Sequence, residues 1–230
     1  MLIKGLQKLT LLDFPERMAC TVFTFGCNFR CPFCHNASLV LADRADDTAI
    51  SEEELFFFLQ KRRGILEGVC ITGGEPTLQP DLPDFIRRIR ALGYAVKLDT
   101  NGYRPDVLKA LVAEGLLDYV AMDIKNSLPC YGVTVGIPGL NVAPIEESMD
   151  FLREGHVPFE FRTTLVHGLH TPESVAEMGK RLAGNEPFFL QTFEDSGDLI
   201  GAGLSPFEKE ETEALLTNLR TYVPNAQIRN

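Results

Sequence analysis

The sequence predicts an α/β fold in which the strands are parallel. Six apolar stretches rich in β-branched and aromatic residues alternate with helical patterns of about ten to thirteen residues, which is typical of repeated βα units. Polar motifs directly follow four of these strands. Because six units are too few for a closed eightfold barrel, the fold is either an open partial barrel or a doubly wound sheet.

The predicted strands are short and largely apolar, as expected for strands that are buried on both faces. In chain order they cover residues 19–25, 68–72, 94–98, 118–122, 157–166 and 187–193. In either fold the carboxyl ends of such strands lie together, and ligands bind there.

Capping signals mark the starts of two helices. Ser51 and Glu54 form a capping box that opens a helix extending to about residue 63. Thr171 is the N-cap of another helix, with Pro172 at its first position. Further helices are predicted at residues 81–92, 105–114 and 144–154, and from 205 to about 222.

Three segments lack a regular pattern. Residues 1–18 are predicted to be an irregular lead-in, and residues 37–50 a loose polar connection. Residues 126–143 are rich in Gly and Pro and are predicted to form a long functional loop. No linker or repeat divides the chain, so residues 1–230 are expected to form a single domain.

The composition of the 230-residue chain excludes some classes of protein. A formal net charge of −10 argues against a nucleic-acid-binding surface, which needs a basic stripe. No apolar run is long enough to span a membrane, and residues 1–5 do not lead into the apolar core of a signal peptide. The chain is therefore expected in the cytoplasm, where clustered cysteines indicate a metal rather than disulfides.

Three of the six cysteines lie in one short loop after the first predicted strand. Cys27, Cys31 and Cys34 have the spacing C-x3-C-x2-C, and thiolates brought together in this way hold iron–sulfur clusters. A structural 4Fe–4S cluster takes four cysteines. Three cysteines leave one iron without a protein ligand and open to a small molecule.

Three other interpretations of this loop stay open from the spacing alone. With His35, the three cysteines form a candidate Cys3His zinc site, although adjacent Cys34 and His35 reach one tetrahedral ion with difficulty. Residues 31–35 also match the haem-attachment pattern C-x-x-C-H, which leaves Cys27 unexplained and normally belongs to exported proteins. Plain thiols in a loop are the third alternative.

Other polar motifs follow the next three predicted strands. They are Gly73, Gly74 and Glu75; Asp99, Thr100, Asn101 and Gly102; and Asp123, Ile124 and Lys125. The paired glycines permit close backbone approach to a ligand or form an ordinary tight turn. Each aspartate can bind a ligand or cap the next helix. Arg162, in the fifth strand, can pair with a ligand carboxylate or form a structural ion pair.

Together these motifs resemble those of the radical S-adenosylmethionine enzymes. The cysteine motif, with aromatic Phe33 before its last cysteine, carries the resemblance, which runs from Gly5 to about Val166. Within that superfamily the chain is similar to the glycyl-radical-enzyme activating enzymes, and most of all to activators of anaerobic ribonucleoside-triphosphate reductase. The resemblance implies a partial (β/α)6 TIM-type barrel with parallel strands.

The resemblance also implies two cofactors, a 4Fe–4S cluster on Cys27, Cys31 and Cys34 and S-adenosylmethionine on the fourth iron. The residues that it places around S-adenosylmethionine are Phe33, Cys34 and His35 near adenine; Gly73, Gly74 and Glu75 at the methionyl amine; Asp123 and Lys125 at ribose and carboxylate; and Asn101, Arg162 and Gln191 nearby. Asp99 and Asp123 are further implied as ligands of a monovalent cation.

The implied activity is an oxidoreductase reaction that begins with one-electron cleavage of S-adenosylmethionine. The resulting 5′-deoxyadenosyl radical takes a hydrogen atom from a glycine of a partner enzyme. Implied partners are a glycyl radical enzyme, expected to be the anaerobic ribonucleotide reductase, and flavodoxin or ferredoxin as electron donor. Modification of a small molecule or peptide is the alternative within the superfamily, and a non-catalytic zinc- or haem-binding domain is the alternative outside it.

Two positions depart from the pattern of the family. Glu16 stands where the family often has Gly after the Asp-Phe-Pro lead-in. Gln191, in the sixth predicted strand, is the candidate nearest to the place where some relatives have a cofactor-binding histidine. Contacts from this strand to a cofactor are therefore left open.

Overall fold

The structure is a computed structural model that describes residues 1–41 and 49–229. The described residues form one eight-stranded sheet in which the strands lie in the order of the chain. The strands are β1 (Ile3–Thr10), β2 (Ala19–Thr24), β3 (Gly68–Gly73), β4 (Ala95–Thr100), β5 (Tyr119–Asp123), β6 (Phe159–Leu165), β7 (Phe188–Thr192) and β8 (Gln227–Arg229). β1 runs antiparallel to β2, and each later pair of neighbours is parallel. The predicted α/β fold with parallel strands is confirmed.

Helices connect the parallel strands. They are α1 (Ala37–Val40), α2 (Glu52–Lys61), α3 (Leu82–Ala91), α4 (Pro105–Ala113), α5 (Leu128–Thr134), α6 (Ala143–Arg153), α7 (Pro172–Leu182) and α8 (Lys209–Arg220), with a 3-10 turn at Pro76–Leu78. The predicted capping box is present, because the Glu54 N–H donates to Ser51 Oγ and the Ser51 N–H donates to the Glu54 carboxylate. None of the described helices has the length and hydropathy that a membrane span needs.

The predictions for the irregular segments are wrong in part. Residues 3–10 of the supposed irregular lead-in form β1, in which Leu6 lies opposite Val22 of β2. Residues 128–134 of the supposed loop at 126–143 form α5. In the predicted connection at residues 37–50, residues 37–40 form α1, and residues 42–48 lie outside the described part of the chain.

Different features explain why the sequence analysis missed β1 and α5. β1 is an edge strand that exposes Gln7, Lys8 and Leu9, so it lacks the apolar run of the central strands. α5 has only seven residues and contains Gly132, which is a poor composition for an isolated helix. Its Tyr131 is fully buried, so packing rather than local propensity holds the helix.

Alternation along the parallel strands separates an apolar outer face from a polar inner face. Ile71 of β3 and Leu98 of β4 are fully buried in the hydrophobic core. On the opposite face, Thr21, Cys70 and Lys97 stand side by side in one register row of β2, β3 and β4. This row therefore places polar side chains on the inner face.

Candidate active site

A cavity of about 290 Å³ lies where the parallel strands end. Its lining includes every residue that the sequence assigned to the site, namely Cys27, Cys31, Phe33, Cys34, His35, Gly73, Gly74, Glu75, Asp99, Asn101, Asp123, Lys125, Arg162 and Gln191. The parallel topology brings them together, because most of the motifs follow the carboxyl end of a strand. Gln7, Asp13 and Thr21 extend the lining towards β1.

The cysteine loop leaves β2 and is fixed by three other segments. Backbone hydrogen bonds join Gly26 to the turn after β3, Arg30 to the end of α5, and Pro32 to the loop after β7, at 2.8, 2.9 and 2.7 Å. Phe29 is buried against Tyr131 of α5, with ring centroids 6.4 Å apart. The segment predicted as a functional loop thus supports the cysteine loop from behind.

The cysteine side chains are free thiols at the cavity wall. Burial raises the pKa of Cys27 to about 11 and that of Cys31 to about 12. At neutral pH these thiols therefore need the positive charge of a metal centre to become thiolates. In residues 1–41 and 49–229, no group of three His, Cys, Asp or Glu side chains is arranged to hold a metal ion.

Asn28, between the first two cysteines, has one amide group with two different environments. Its Oδ1 accepts a hydrogen bond from Asn101 Nδ2 at 2.8 Å, whereas its own Nδ2 is buried without an acceptor among the described residues. Buried donors in proteins are normally paired. A group rich in acceptors next to the thiols, such as the sulfides of an iron–sulfur cluster, fits this donor.

The turn after β3 needs its two glycines because it touches the cysteine loop. A Cβ atom on Gly74 would lie 2.0 Å from the carbonyl oxygen of Gly26, and one on Gly73 would lie 2.3 Å from the nitrogen of Thr24. Both distances are impossible for non-bonded atoms. The two glycines therefore permit the close approach of this turn to β2 and to the cysteine loop that follows β2.

Glu75 ends this turn as a fully buried carboxylate. Its Oε1 accepts hydrogen bonds from Thr77 Oγ1 and Thr100 Oγ1 at 2.5 and 2.8 Å, and its Oε2 accepts from the Asn101 N–H at 2.7 Å. Burial raises the pKa of Glu75, and these hydrogen bonds oppose the rise. The side chain therefore ties the ends of β3 and β4 together and brings acidic character to this part of the cavity.

Another part of the wall is a run of alternating charges that we call the charge chain: Lys97, Asp99, Arg162, Asp123 and Lys125. Lys97 donates to Asp99. Arg162 then bridges Asp99 at 3.2 Å and Asp123 at 2.9 Å. Lys125 Nζ donates to Asp123 at 3.0 Å. Three cations and two carboxylates leave one surplus positive charge, which suits an anionic group of a ligand.

Ion pairing keeps both carboxylates of the charge chain ionised inside the protein. Burial alone would raise the pKa of Asp99, but Arg162 and Lys97 hold it below its ordinary value. Arg162 and Lys125 likewise outweigh burial and lower the pKa of Asp123. The space between the two carboxylates is taken by the Arg162 guanidinium, and the monovalent cation expected there stays a prediction.

His170 joins the charge chain to the end of β6. The residue is buried, its Nδ1 accepts from the Val166 N–H at 3.1 Å, and its Nε2 donates to the carbonyl oxygen of Lys125 at 2.9 Å. Burial lowers the pKa of His170. A neutral imidazole therefore fixes the backbone that carries Lys125.

The remaining predicted residues occupy different parts of the cavity wall. Phe33 is buried below Lys125, whose Nζ lies 6.0 Å from the ring centroid. His35 is exposed at the rim, and Gln191 of β7 is half-buried. The structure brings these side chains to one cavity, and their contacts with a cofactor stay predictions.

Lys97 is the main site residue that the sequence analysis missed. Its side chain is 1% exposed, in a strand whose neighbouring residues Val96 and Leu98 are apolar. The signal was available, because an ammonium group inside a strand requires a partner. Asp99 is two residues further along and therefore on the same face of the strand.

The fold and the site define an α/β partial barrel whose cavity is bordered by three cysteines of one loop. The family model of the Radical SAM superfamily matches residues 21–170. A protein of Methanocaldococcus jannaschii, named as a candidate glycyl-radical enzyme activating enzyme, is 30% identical over 99% of this chain and 95% of its own length. The chain therefore belongs to the radical S-adenosylmethionine superfamily.

Two further comparisons describe how widely the likeness extends. A radical S-adenosylmethionine methyltransferase from Sphaerobacter thermophilus shares the fold, with a TM-score of 0.73 at 16% identity over 96% of this chain and 68% of that chain. A candidate GTP 3′,8-cyclase from Thermococcus kodakarensis is 31% identical over 65% of this chain and 48% of its own length. The protein is thus a radical S-adenosylmethionine enzyme whose cofactors are a 4Fe–4S cluster and S-adenosylmethionine, and the zinc and haem alternatives are set aside.

Proposed function

We propose that the protein is an oxidoreductase that generates a glycyl radical on a partner enzyme, the anaerobic ribonucleotide reductase. The observation that carries the proposal is one cavity that combines three thiols, an acidic turn at Glu75 and the surplus positive charge of the charge chain. The methionyl group of S-adenosylmethionine carries both an ammonium and a carboxylate, so it matches a cavity with these two electrostatic sides. Similarity over almost the full length to the Methanocaldococcus protein supports a glycyl radical enzyme as partner.

Each part of the cavity has a proposed task. Cys27, Cys31 and Cys34 hold the cluster and leave one iron for S-adenosylmethionine, and when bound these cofactors supply one-electron cleavage chemistry. Lys125 attracts the methionyl carboxylate. The turn at Glu75 attracts the ammonium through its negative charge and its carbonyl oxygens, because the Glu75 carboxylate is already occupied by hydroxyl and amide donors.

The open side of the barrel supports a protein substrate. In the described part of the chain, β1 and β8 are the two edges of the sheet and are not paired with each other. A glycine of a partner enzyme has to come next to the cofactors, and a closed barrel would not admit a protein segment. A cytoplasmic flavodoxin or ferredoxin is the proposed electron donor.

The test is an anaerobic activation assay followed by electron paramagnetic resonance. The reconstituted protein is incubated with S-adenosylmethionine, a reductant and an anaerobic ribonucleotide reductase. We expect a glycyl radical signal that is absent when S-adenosylmethionine is omitted or when the radical glycine of the partner is replaced by alanine. Cleavage of S-adenosylmethionine without a signal on this or any other glycyl radical enzyme would favour a small-molecule or peptide substrate.

A further inference from the structure

We propose that Lys97 is a positioning residue that gives the cavity its preference for ligands with a carboxylate. Lys97 acts at a distance, through the charge chain, and supplies the surplus positive charge that Lys125 presents to the cavity. This role rests on the proposed function in one respect, the placement of the methionyl carboxylate at Lys125.

The position of Lys97 excludes direct contact with a ligand. Asp99, Asp123 and Lys125 line the cavity, whereas Lys97 is not among the described residues that line it. Its side chain is 1% exposed and donates to Asp99. Lys97 therefore acts on a ligand through its charge and through its hydrogen bond to Asp99, and not by contact.

The balance of charges shows what Lys97 adds. Asp99 already has Arg162 as a partner at 3.2 Å, and Asp123 has both Arg162 and Lys125. Without Lys97, the chain would hold two cations and two carboxylates and would be neutral. The nearby carboxylate of Glu160 does not cancel the surplus, because Arg229 holds it with two hydrogen bonds of 2.6 and 2.9 Å. Asp13 also borders the cavity, but its carboxylate accepts from Thr21 Oγ1 and forms no ion pair with the charge chain among the described residues.

The distances indicate that the surplus appears at the cavity end of the chain. Because Lys97 engages Asp99, Arg162 is free to neutralise Asp123, and it lies closer to Asp123 than to Asp99. Arg162 then neutralises much of the negative charge of Asp123, and Lys125 neutralises less of it. Lys125, which borders the cavity, is left with positive charge for a ligand carboxylate.

The test uses two substitutions that separate charge from shape. Lys97→Gln removes the charge and keeps a hydrogen-bond donor towards Asp99, whereas Lys97→Arg keeps the charge. Lys109→Met is the control, because Lys109 is 41% exposed and pairs with Glu147 on the surface. The ligands are S-adenosylmethionine and decarboxylated S-adenosylmethionine, and isothermal titration calorimetry on the anaerobically reconstituted proteins gives both dissociation constants.

We expect Lys97→Gln to reduce the preference for S-adenosylmethionine over its decarboxylated form by about tenfold, the effect of a unit charge about 10 Å from the ligand carboxylate at an effective dielectric constant of about 20. The ammonium and sulfonium groups are common to both ligands, so their effect cancels in this ratio. Lys97→Arg and Lys109→Met should keep the preference of the unmodified protein. Equal losses for both ligands, an unchanged preference in Lys97→Gln, or a loss of preference in Lys97→Arg would overturn the proposal.

A double variant covers the case in which Lys97→Gln does not fold. Lys97→Gln/Asp99→Asn removes one charge of each sign, so the surplus is restored and the preference for the carboxylate should return. A double variant without that preference would overturn the proposal. These measurements require no partner enzyme and no radical, so they succeed or fail independently of glycyl radical formation.

Discussion

Glu16 is a residue whose backbone does not suit its side chain. Its φ of 61° makes it the one non-glycine residue with a positive φ in the described part of the chain. The left-handed region is costly for residues with a Cβ atom and is open to glycine. The position follows the Asp-Phe-Pro lead-in, so this turn geometry gives a physical reason for the glycine that the resembling family often has there.

Substitutions at Glu16 test this backbone conformation. We expect Glu16→Gly to raise the free energy of unfolding by about 0.5–1 kcal/mol, because it removes the left-handed penalty at some cost in chain entropy. Glu16→Ala should have little effect, and Glu16→Val should lower the free energy by about 1 kcal/mol because β-branched residues avoid this region. Anaerobic urea unfolding measures all three, and a Glu16→Val protein as stable as Glu16→Ala would contradict the assigned conformation.

His170 predicts how stability depends on pH. Burial lowers its pKa below the ordinary value of 6.5, so the unfolded chain binds the proton more readily than the folded protein. The contribution of His170 to the free energy of unfolding is therefore complete above about pH 6.5 and is lost as the pH falls towards the folded pKa. The slope from this residue is at most about 1.4 kcal/mol per pH unit.

A matched pair of variants isolates that slope. His170→Phe should reduce the decline of the unfolding free energy between about pH 6.5 and pH 5. His156→Gln is the control, because His156 is exposed and its ion-pair partner, Glu154, also lies at the surface. An identical pH dependence in the unmodified protein and in His170→Phe would show that His170 is not held neutral by the fold.

At the scale of elements, the turn after β3 and the cysteine loop after β2 form one packed unit. Gly74 N–H donates to the carbonyl oxygen of Thr24 at 2.9 Å, and Glu75 N–H donates to that of Gly26 at 2.8 Å. The sequence predicted both segments as parts of one site, because each follows a parallel strand. Their direct contact could not be predicted, since the spacing of residues in the chain does not give the distance between neighbouring loops.

Gly74→Ala tests this unit. The added Cβ would lie 2.0 Å from the carbonyl oxygen of Gly26, so the start of the cysteine loop must shift. We expect a loss of about 1–3 kcal/mol in the free energy of unfolding and an iron content clearly below that of the unmodified protein after reconstitution.

Gly93→Ala provides the comparison for that loss of iron. Gly93 has a positive φ, unlike Gly74, and an added Cβ would meet nothing within 4 Å. This variant should lose about 1 kcal/mol from backbone strain alone and keep its full iron content. Equal iron contents in the two variants would show that the glycine turn does not position the cysteines.

At the scale of the whole molecule, the parallel order of the strands accounts for most of what the sequence could predict. The motifs at Gly73, Asp99 and Asp123 end or follow β3, β4 and β5, so knowing the strands was enough to place them at one cavity. The pairing of Arg162 with two carboxylates was less accessible, because it depends on the register of β6 against β5. α5 was missed because packing rather than local propensity holds it. Lys97 was missed although a lysine inside an apolar strand signals a buried ion pair.

The central claim is that the three cysteines and the cavity beside them cleave S-adenosylmethionine. The most direct measurement is the anaerobic formation of 5′-deoxyadenosine and methionine by the reduced protein and by its Cys31→Ala variant, alongside the visible absorbance of the cluster. We predict that the unmodified protein forms both products, and that Cys31→Ala has neither cluster absorbance nor products. Product formation that persists in Cys31→Ala would contradict the role assigned to the cysteine loop.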